Sequence, residues 1–105
     1  MPFMRYVLDV FLGVYEFAGD PKELLAAYDR MMSGMPSDDV IFHACVERSE
    51  GITIYDCCPS AEVFAAFSSS DAFRHAIASA GLPEPTITAV GDVHRARTHD
   101  LIITG

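Results

Sequence analysis

Tryptophan, asparagine and glutamine are absent from this 105-residue chain, and basic side chains are scarce. Seven Lys and Arg stand against fifteen Asp and Glu, for a net charge of -8. So acidic a chain lacks the clustered Lys and Arg that neutralise phosphates, which argues against nucleic acid and anionic membranes as partners. The closest basic grouping, His94-Arg95-Ala96-Arg97, reads as a solvated segment near the end of a strand. No apolar run approaches the roughly 20 residues of a membrane span. The opening residues carry Arg5 and Asp9 and lead straight into patterned sequence, unlike a signal peptide. Cys45, Cys57 and Cys58 are an odd set, which fits reduced, buried thiols in a cytoplasmic protein better than a disulfide framework. Repeats, linkers and low-complexity tracts are also missing, so residues 1–105 read as a single domain with a tail over residues 95–105.

What is present is apolar sequence in short patterned runs. Half the residues are hydrophobic, enough for a compact core. The densest stretch runs from Val40 to Glu47 and, after Arg48 to Gly51, from Ile52 to Cys57. Both faces of both strands are largely apolar, whereas a hairpin with one wet side alternates apolar with polar. A turn centred on Ser49-Glu50 pairs residues whose numbers sum to ninety-nine, which sets His43 opposite Asp56. The expectation is a sheet covered on both sides, with a small polar cluster on one of them.

Around this hairpin the spacing predicts one strand over Met4 to Tyr15, then a helix capped by Asp20-Pro21 and carrying Leu24, Leu25, Tyr28, Met31 and Met32. Gly34 and Pro36 stop that helix, and Asp38-Asp39 lie in the connection that follows. Ser60 predicts the cap of a second helix with Val63, Phe64 and Phe67. The run Ser68 to Asp71 predicts a break before a shorter helix with Phe73, Ala76, Ile77 and Ala80, ended by Gly81 and Pro83. Thr86 to His94 reads as the last strand, and Leu101-Ile102-Ile103 as a further apolar run, either exchanged with a partner or packed locally. The order β-α-β-β-α(α)-β is the ferredoxin-like plan, an α+β fold with helices on one face of a four-stranded antiparallel sheet. Two apolar faces then predict a homodimer that covers the face without helices.

Over roughly Arg5 to His94 the chain resembles the small dimeric α+β-barrel proteins, the superfamily of the antibiotic-biosynthesis monooxygenases. Beyond the order of elements, the likeness rests on Ile41-Phe42-His43-Ala44-Cys45, on Gly51-Ile52-Thr53-Ile54-Tyr55-Asp56 with Cys58 soon after, and on Glu62 to Phe67 leading to Ala80-Gly81-Leu82-Pro83. It is especially similar to a group of short members whose second hairpin strand has an aspartate, then a tryptophan two residues on, then a capped helix. Here Cys58 occupies the tryptophan position. Members that oxygenate aromatic polyketides use Asn, Trp, Tyr and Arg around the substrate, and haem-degrading members use Asn, Trp and His. Without Asn or Trp neither set carries over. The resemblance implies the scaffold, the dimer, and a pocket between sheet and helices.

Within that pocket His43 and Asp56 are the candidate catalytic pair, since a carboxylate beside an imidazole fixes its tautomer and stabilises its protonated form. The same two residues also read as a pair that merely satisfies itself in an apolar layer. Phe42, Tyr55, Phe64, Phe67 and His94 are the expected substrate-binding residues. Tyr28 is another aromatic with a polar tip, and Phe73, Met31, Met32 and Met35 add apolar lining or plain core. His43, Asp56 and His94 resemble in kind a two-His-one-carboxylate iron set. Their spacing matches no metal motif, so neither a metal nor a cofactor is expected. Cys45 faces the His43 side, but a buried thiol is usually inert. The expectation is a protein for a small hydrophobic molecule, aromatic or polyketide-like, acting as a cofactor-independent monooxygenase or isomerase. The alternative is a non-catalytic ligand-binding or dimerisation module.

Overall fold

The computed structural model describes residues 4–7, 9–34, 41–97 and 101–104, with 4–7 and 101–104 described for their backbone alone. Met35, Pro36, Asp38, Asp39 and Val40, named above, lie outside the described residues. The elements are β1 (Met4–Val7), β2 (Phe11–Ala18), α1 (Pro21–Met32), β3 (Phe42–Arg48), β4 (Gly51–Cys58), α2 (Ala61–Ser68), α3 (Asp71–Ala80), β5 (Thr86–Asp92), β6 (Arg95–Arg97) and β7 (Leu101–Thr104).

Local chemistry sets the helix ends. Asp20 accepts from the backbone N–H of Glu23, Ser60 from Val63 and Ser70 from Phe73, so each helix has one of its orphan donors satisfied by an N-cap side chain. Between α2 and α3 the run of serines closes one helix and caps the next, where the sequence predicts a break. Gly81 ends α3 at φ 87°, a left-handed conformation that favours glycine. Arg30 ties α1 to that terminus by donating to the Ala80 carbonyl at 3.0 Å.

Strands β3-β4-β2-β5 form a four-stranded antiparallel sheet whose order is compatible with a ferredoxin-like fold. Arg48 pairs with Gly51 across the Ser49-Glu50 turn, and the ladder runs back through Cys45–Ile54 and His43–Asp56 to Phe42–Cys57. Side chains of β2 alternate accordingly: Phe11, Tyr15 and Phe17 are buried on the helix side, while Leu12, Val14 and Glu16 on the other side are half-buried. The main core lies beneath the helices and includes Tyr15, Phe17, Ile52, Ile54, Phe64, Phe73 and Ile77.

Two strand assignments differ from expectation. The run from Met4 to Tyr15 is not one strand: β1 pairs in parallel with β7 in a second sheet of order β1-β7-β6, while β2 starts at Phe11 and extends to Ala18. One continuous strand cannot serve two separate sheets, and the chain turns between them near exposed Asp9 and buried Val10. The last strand of the main sheet ends at Asp92 rather than His94. Its register against β2 shifts between Leu12 and Gly13, and Gly91 stands at φ 152°, so the chain leaves the sheet and begins β6. The apolar run Leu101 to Ile103 lies in β7, paired with β1 and β6 of the same chain. No helix among the described residues is long and apolar enough to cross a membrane.

Gly13 stands opposite Asp56 on the helix side, and its missing side chain admits the Phe64 ring: an added Cβ would lie 1.9 Å from Phe64 Cε1. Gly13→Ala is therefore expected to destabilise the fold by roughly 1–3 kcal/mol, the usual cost of overpacking. The cost should shrink in a Phe64→Leu background, as read from urea unfolding of the two single variants and the double variant.

Candidate functional site

Strand alternation determines which candidates meet. His43, Cys45, Ile54, Asp56 and Cys58 share the helix-facing side of β3 and β4, while Phe42, Ala44, Tyr55 and Cys57 share the opposite side. The hairpin register places His43 directly across from Asp56, and their side chains meet: Nδ1 of His43 lies 2.5 Å from Oδ1 of Asp56. Asp56 is 4% exposed, so its carboxylate sits among the core side chains. Burial pushes this carboxyl up, and the charge and hydrogen bond of His43 pull it back without cancelling the effect. Since a carboxylate only accepts, Nδ1 carries the proton that it receives.

The other ring nitrogen is engaged from above. In α1, Tyr28 lies over β3, its hydroxyl hydrogen-bonded to Nε2 of His43, with the two rings nearly parallel at 11° and their centroids 5.8 Å apart. With the Nδ1 proton given to Asp56, Nε2 presents its lone pair and the Tyr28 O–H donates to it. The result is a chain Tyr28–His43–Asp56 running from the half-buried α1 side to the buried sheet. Tyr28 has its phenol pushed up to about 12 by burial first and then by Cys45, Asp56 and Asp29, so it stays protonated at neutral pH. Leu25 and Met32, one helical turn to either side of Tyr28, pack half-buried against the core.

Further in, Tyr15 is 1% exposed, and its hydroxyl has no hydrogen-bond partner among the described residues. Burial and the nearby Asp56 charge raise its proton affinity, which keeps it neutral. Cys45, half-buried on the His43 side, has its thiol pushed up by burial and by Asp29, away from the thiolate form that a nucleophile needs. Cys57 is buried on the opposite side of the sheet and is likewise pushed up.

The five expected substrate-binding residues do not gather around His43 and Asp56. Phe42 and Tyr55 have the wrong parity: they line a cavity of about 380 Å³ on the face away from the helices, with Leu12, Ala44, Cys57 and Val93. Phe64 is a core ring, 5.8 Å from Phe11 and 5.6 Å from Tyr15 between centroids. Phe67 packs on Phe73 at 4.8 Å and lines a separate groove between α1 and α3. His94 is exposed in the bend after β5, because that strand leaves the sheet at Asp92. Among the described residues, no three His, Cys, Asp or Glu side chains converge as a metal-binding group, and His94 does not complete a set with His43 and Asp56.

Sequence reading singled out Tyr28 but did not connect it to His43. The one available signal was that Tyr28 is the only stripe residue of α1 with a hydrogen-bonding tip apart from the methionine sulfurs. Which strand that tip would meet depends on how α1 crosses the sheet.

Because the folded state holds protons on Asp56 more tightly than the unfolded chain does, this group's contribution to stability falls as pH rises through its elevated range. Asp56→Asn keeps an acceptor for His43 and removes the buried charge. The variant should be more stable than the parent at neutral pH, by about 1–2 kcal/mol. That gain should fade as pH falls through the elevated range toward the ordinary carboxylate value, as read from urea unfolding of both proteins at pH 7 and pH 4.

No protein family model, curated protein or solved structure matches this chain. The site therefore rests on its own geometry.

Proposed function

We propose that this chain is a cofactor-independent acid–base catalyst acting on a small hydrophobic molecule, aromatic or polyketide-like. It would work as a homodimeric α+β barrel of ferredoxin-like subunits, as the resemblance to the antibiotic-biosynthesis-monooxygenase superfamily implies. The observation that carries the catalytic reading is the His43 imidazole hydrogen-bonded at both nitrogens, to the buried Asp56 carboxylate and to the Tyr28 hydroxyl. A base must hold one tautomer and tolerate becoming charged, and the carboxylate on Nδ1 serves both needs. His43 is 24% exposed on edge strand β3, which leaves the imidazole end of the pair open to the helix side.

Proton-transfer isomerisation is the reaction that this equipment performs with no other reagent. A proton leaves an acidified C–H of the substrate, rests on the imidazole, and returns to another carbon of the delocalised anion. Apolar surroundings strengthen the His43–Asp56 interaction while the charge is present. Oxygenation, the other class implied by the resemblance, would begin with the same deprotonation and take dioxygen as co-substrate. The competing reading is a non-catalytic binding or dimerisation module in which the polar pair serves the architecture alone, and the absence of Asn and Trp favours it.

Self-association is supported by the sheet face without helices, where Phe42, Val46 and Tyr55 are 49%, 41% and 36% exposed beside half-buried Leu12 and Val14. Soluble monomers seldom leave such a contiguous apolar surface uncovered. Light scattering should give a mass twice the 11.5 kDa of one chain. Val46→Asp should return it to the single-chain value, and a monomeric parent at micromolar concentration contradicts the barrel.

Catalysis is testable with 2-tetralone, a neutral aromatic ketone with an acidic C–H. The parent should accelerate its deuterium exchange in D2O, and His43→Gln should lower that acceleration by about 100-fold or more with the mass unchanged. Equal exchange by parent and His43→Gln would favour the architectural reading.

A further inference from the structure

The geometry points to Tyr28 as the residue that meets the substrate: its hydroxyl is the terminal group of the relay, and the substrate is a neutral hydrophobic carbonyl compound with an enolisable C–H. This inference rests on the acid–base reading above and assigns the atom through which that chemistry passes.

The argument is one of hydrogen-bonding capacity. An imidazole has two ring nitrogens, and on His43 both are engaged, Nδ1 by Asp56 and Nε2 by Tyr28. The Asp56 carboxylate lies at the buried end of the chain, 4% exposed, and is out of reach. A hydroxyl has one proton to give and two lone pairs to accept with. Tyr28 donates its proton to Nε2 and keeps accepting capacity on Oη, and like His43 it is half-buried on the helix side. A ligand therefore joins the relay at Tyr28 Oη without displacing any bond already made.

The step balances without a further reagent. As the substrate C–H bond breaks, its proton bonds to Tyr28 Oη, and the former Oη proton passes to His43 Nε2. The C–H electron pair becomes the new C=C bond, the carbonyl π pair moves onto oxygen as the enolate forms, and the Asp56 carboxylate faces the new imidazolium. Reversal onto the same carbon gives exchange, and in a substrate whose enolate is conjugated with a C=C bond, delivery to the remote carbon gives the isomer; nothing is oxidised or reduced. Tyr28 takes and gives a proton in one motion, so a free phenolate never forms, in keeping with a phenol held protonated at neutral pH.

Substrate character follows from the neighbours of that oxygen. Leu25 and Met32 flank Tyr28 along α1, and half-buried Cys45 lies on the strand beneath, so the contact surface is apolar and adaptable. The charged groups that act on the phenol, Asp56 and Asp29, are both acidic, and the chain as a whole carries -8. A carboxylate or phosphate ester would be repelled, and an uncharged ketone would not.

Tyr28→Phe keeps the ring against its neighbours and deletes the oxygen. With 2-tetralone in D2O at neutral pD, followed by proton NMR, the variant should lose about 100-fold in kcat for exchange while KM changes by less than about threefold. Tyr28→3,5-difluorotyrosine, which restores the hydroxyl, should recover exchange. Circular dichroism and the light-scattering mass confirm that each variant is folded. If Tyr28→Phe exchanges as fast as the parent while His43→Gln does not, the assignment of Tyr28 is overturned and His43 remains the base. If the parent itself fails to accelerate exchange over buffer, both the assignment and the acid–base reading fall.

Discussion

One buried carboxylate governs the arrangement. Asp56 sits toward the end of β4, whose other residues except Tyr55 are also buried, so its charge has been taken out of water. Burying an ionised group unpaired is too costly to persist, so it must find a donor in its own layer. The directly opposed position on β3 supplies one, and that position is His43. Slipping the hairpin by a single residue would turn His43 to the far side of the sheet and leave Asp56 alone, so the polar pair itself helps to fix the register. Gly13, across from Asp56 on β2, then lets Phe64 settle over the sheet, which keeps the surroundings of that pair dry.

From this pair the site extends in one direction. α1 crosses β3 and β4 with Tyr28 on its inner stripe, and its N-cap at Asp20 and the Arg30 bond to the end of α3 hold the helix at both ends. The opposite side of the sheet has a different character. Its apolar residues gather around the second cluster of Val10 and Cys57, packed by Leu12 of β2 and by Val93 and Ala96 of the segment that departs after β5. The two sides therefore differ: one buries a polar pair under the helices, and the other presents exposed apolar side chains.

Much of this was legible in the residues, for reasons that can be named. Helix boundaries were readable because caps are local: Asp20, Ser60, Ser70 and Gly81 each act within one turn. The hairpin register was readable because a tight turn fixes every pair behind it. That same register already separated Phe42 and Tyr55 from His43 and Asp56, and an expectation that pooled all four in one pocket overlooked strand parity. What was not legible depends on contacts distant in sequence. Tyr28 meets His43 across the gap between a helix and a sheet, and no periodicity encodes that crossing. The division of the first run between two sheets depends on β7, almost a hundred residues away in sequence. The departure of the chain after Asp92, which carries His94 away, follows a register shift that only pairing with β2 reveals.

The claim at the centre of this account is that Asp56 dictates the tautomer of His43, and with it the direction of every hydrogen bond in the chain. Long-range nitrogen–proton NMR of the His43 ring, recorded where the imidazole is neutral, reads that directly. The account predicts a proton fixed on Nδ1, shielded from exchange, with Nε2 bearing the shift of a hydrogen-bond acceptor. A neutral ring protonated on Nε2, or one averaging freely between the two forms, would contradict it.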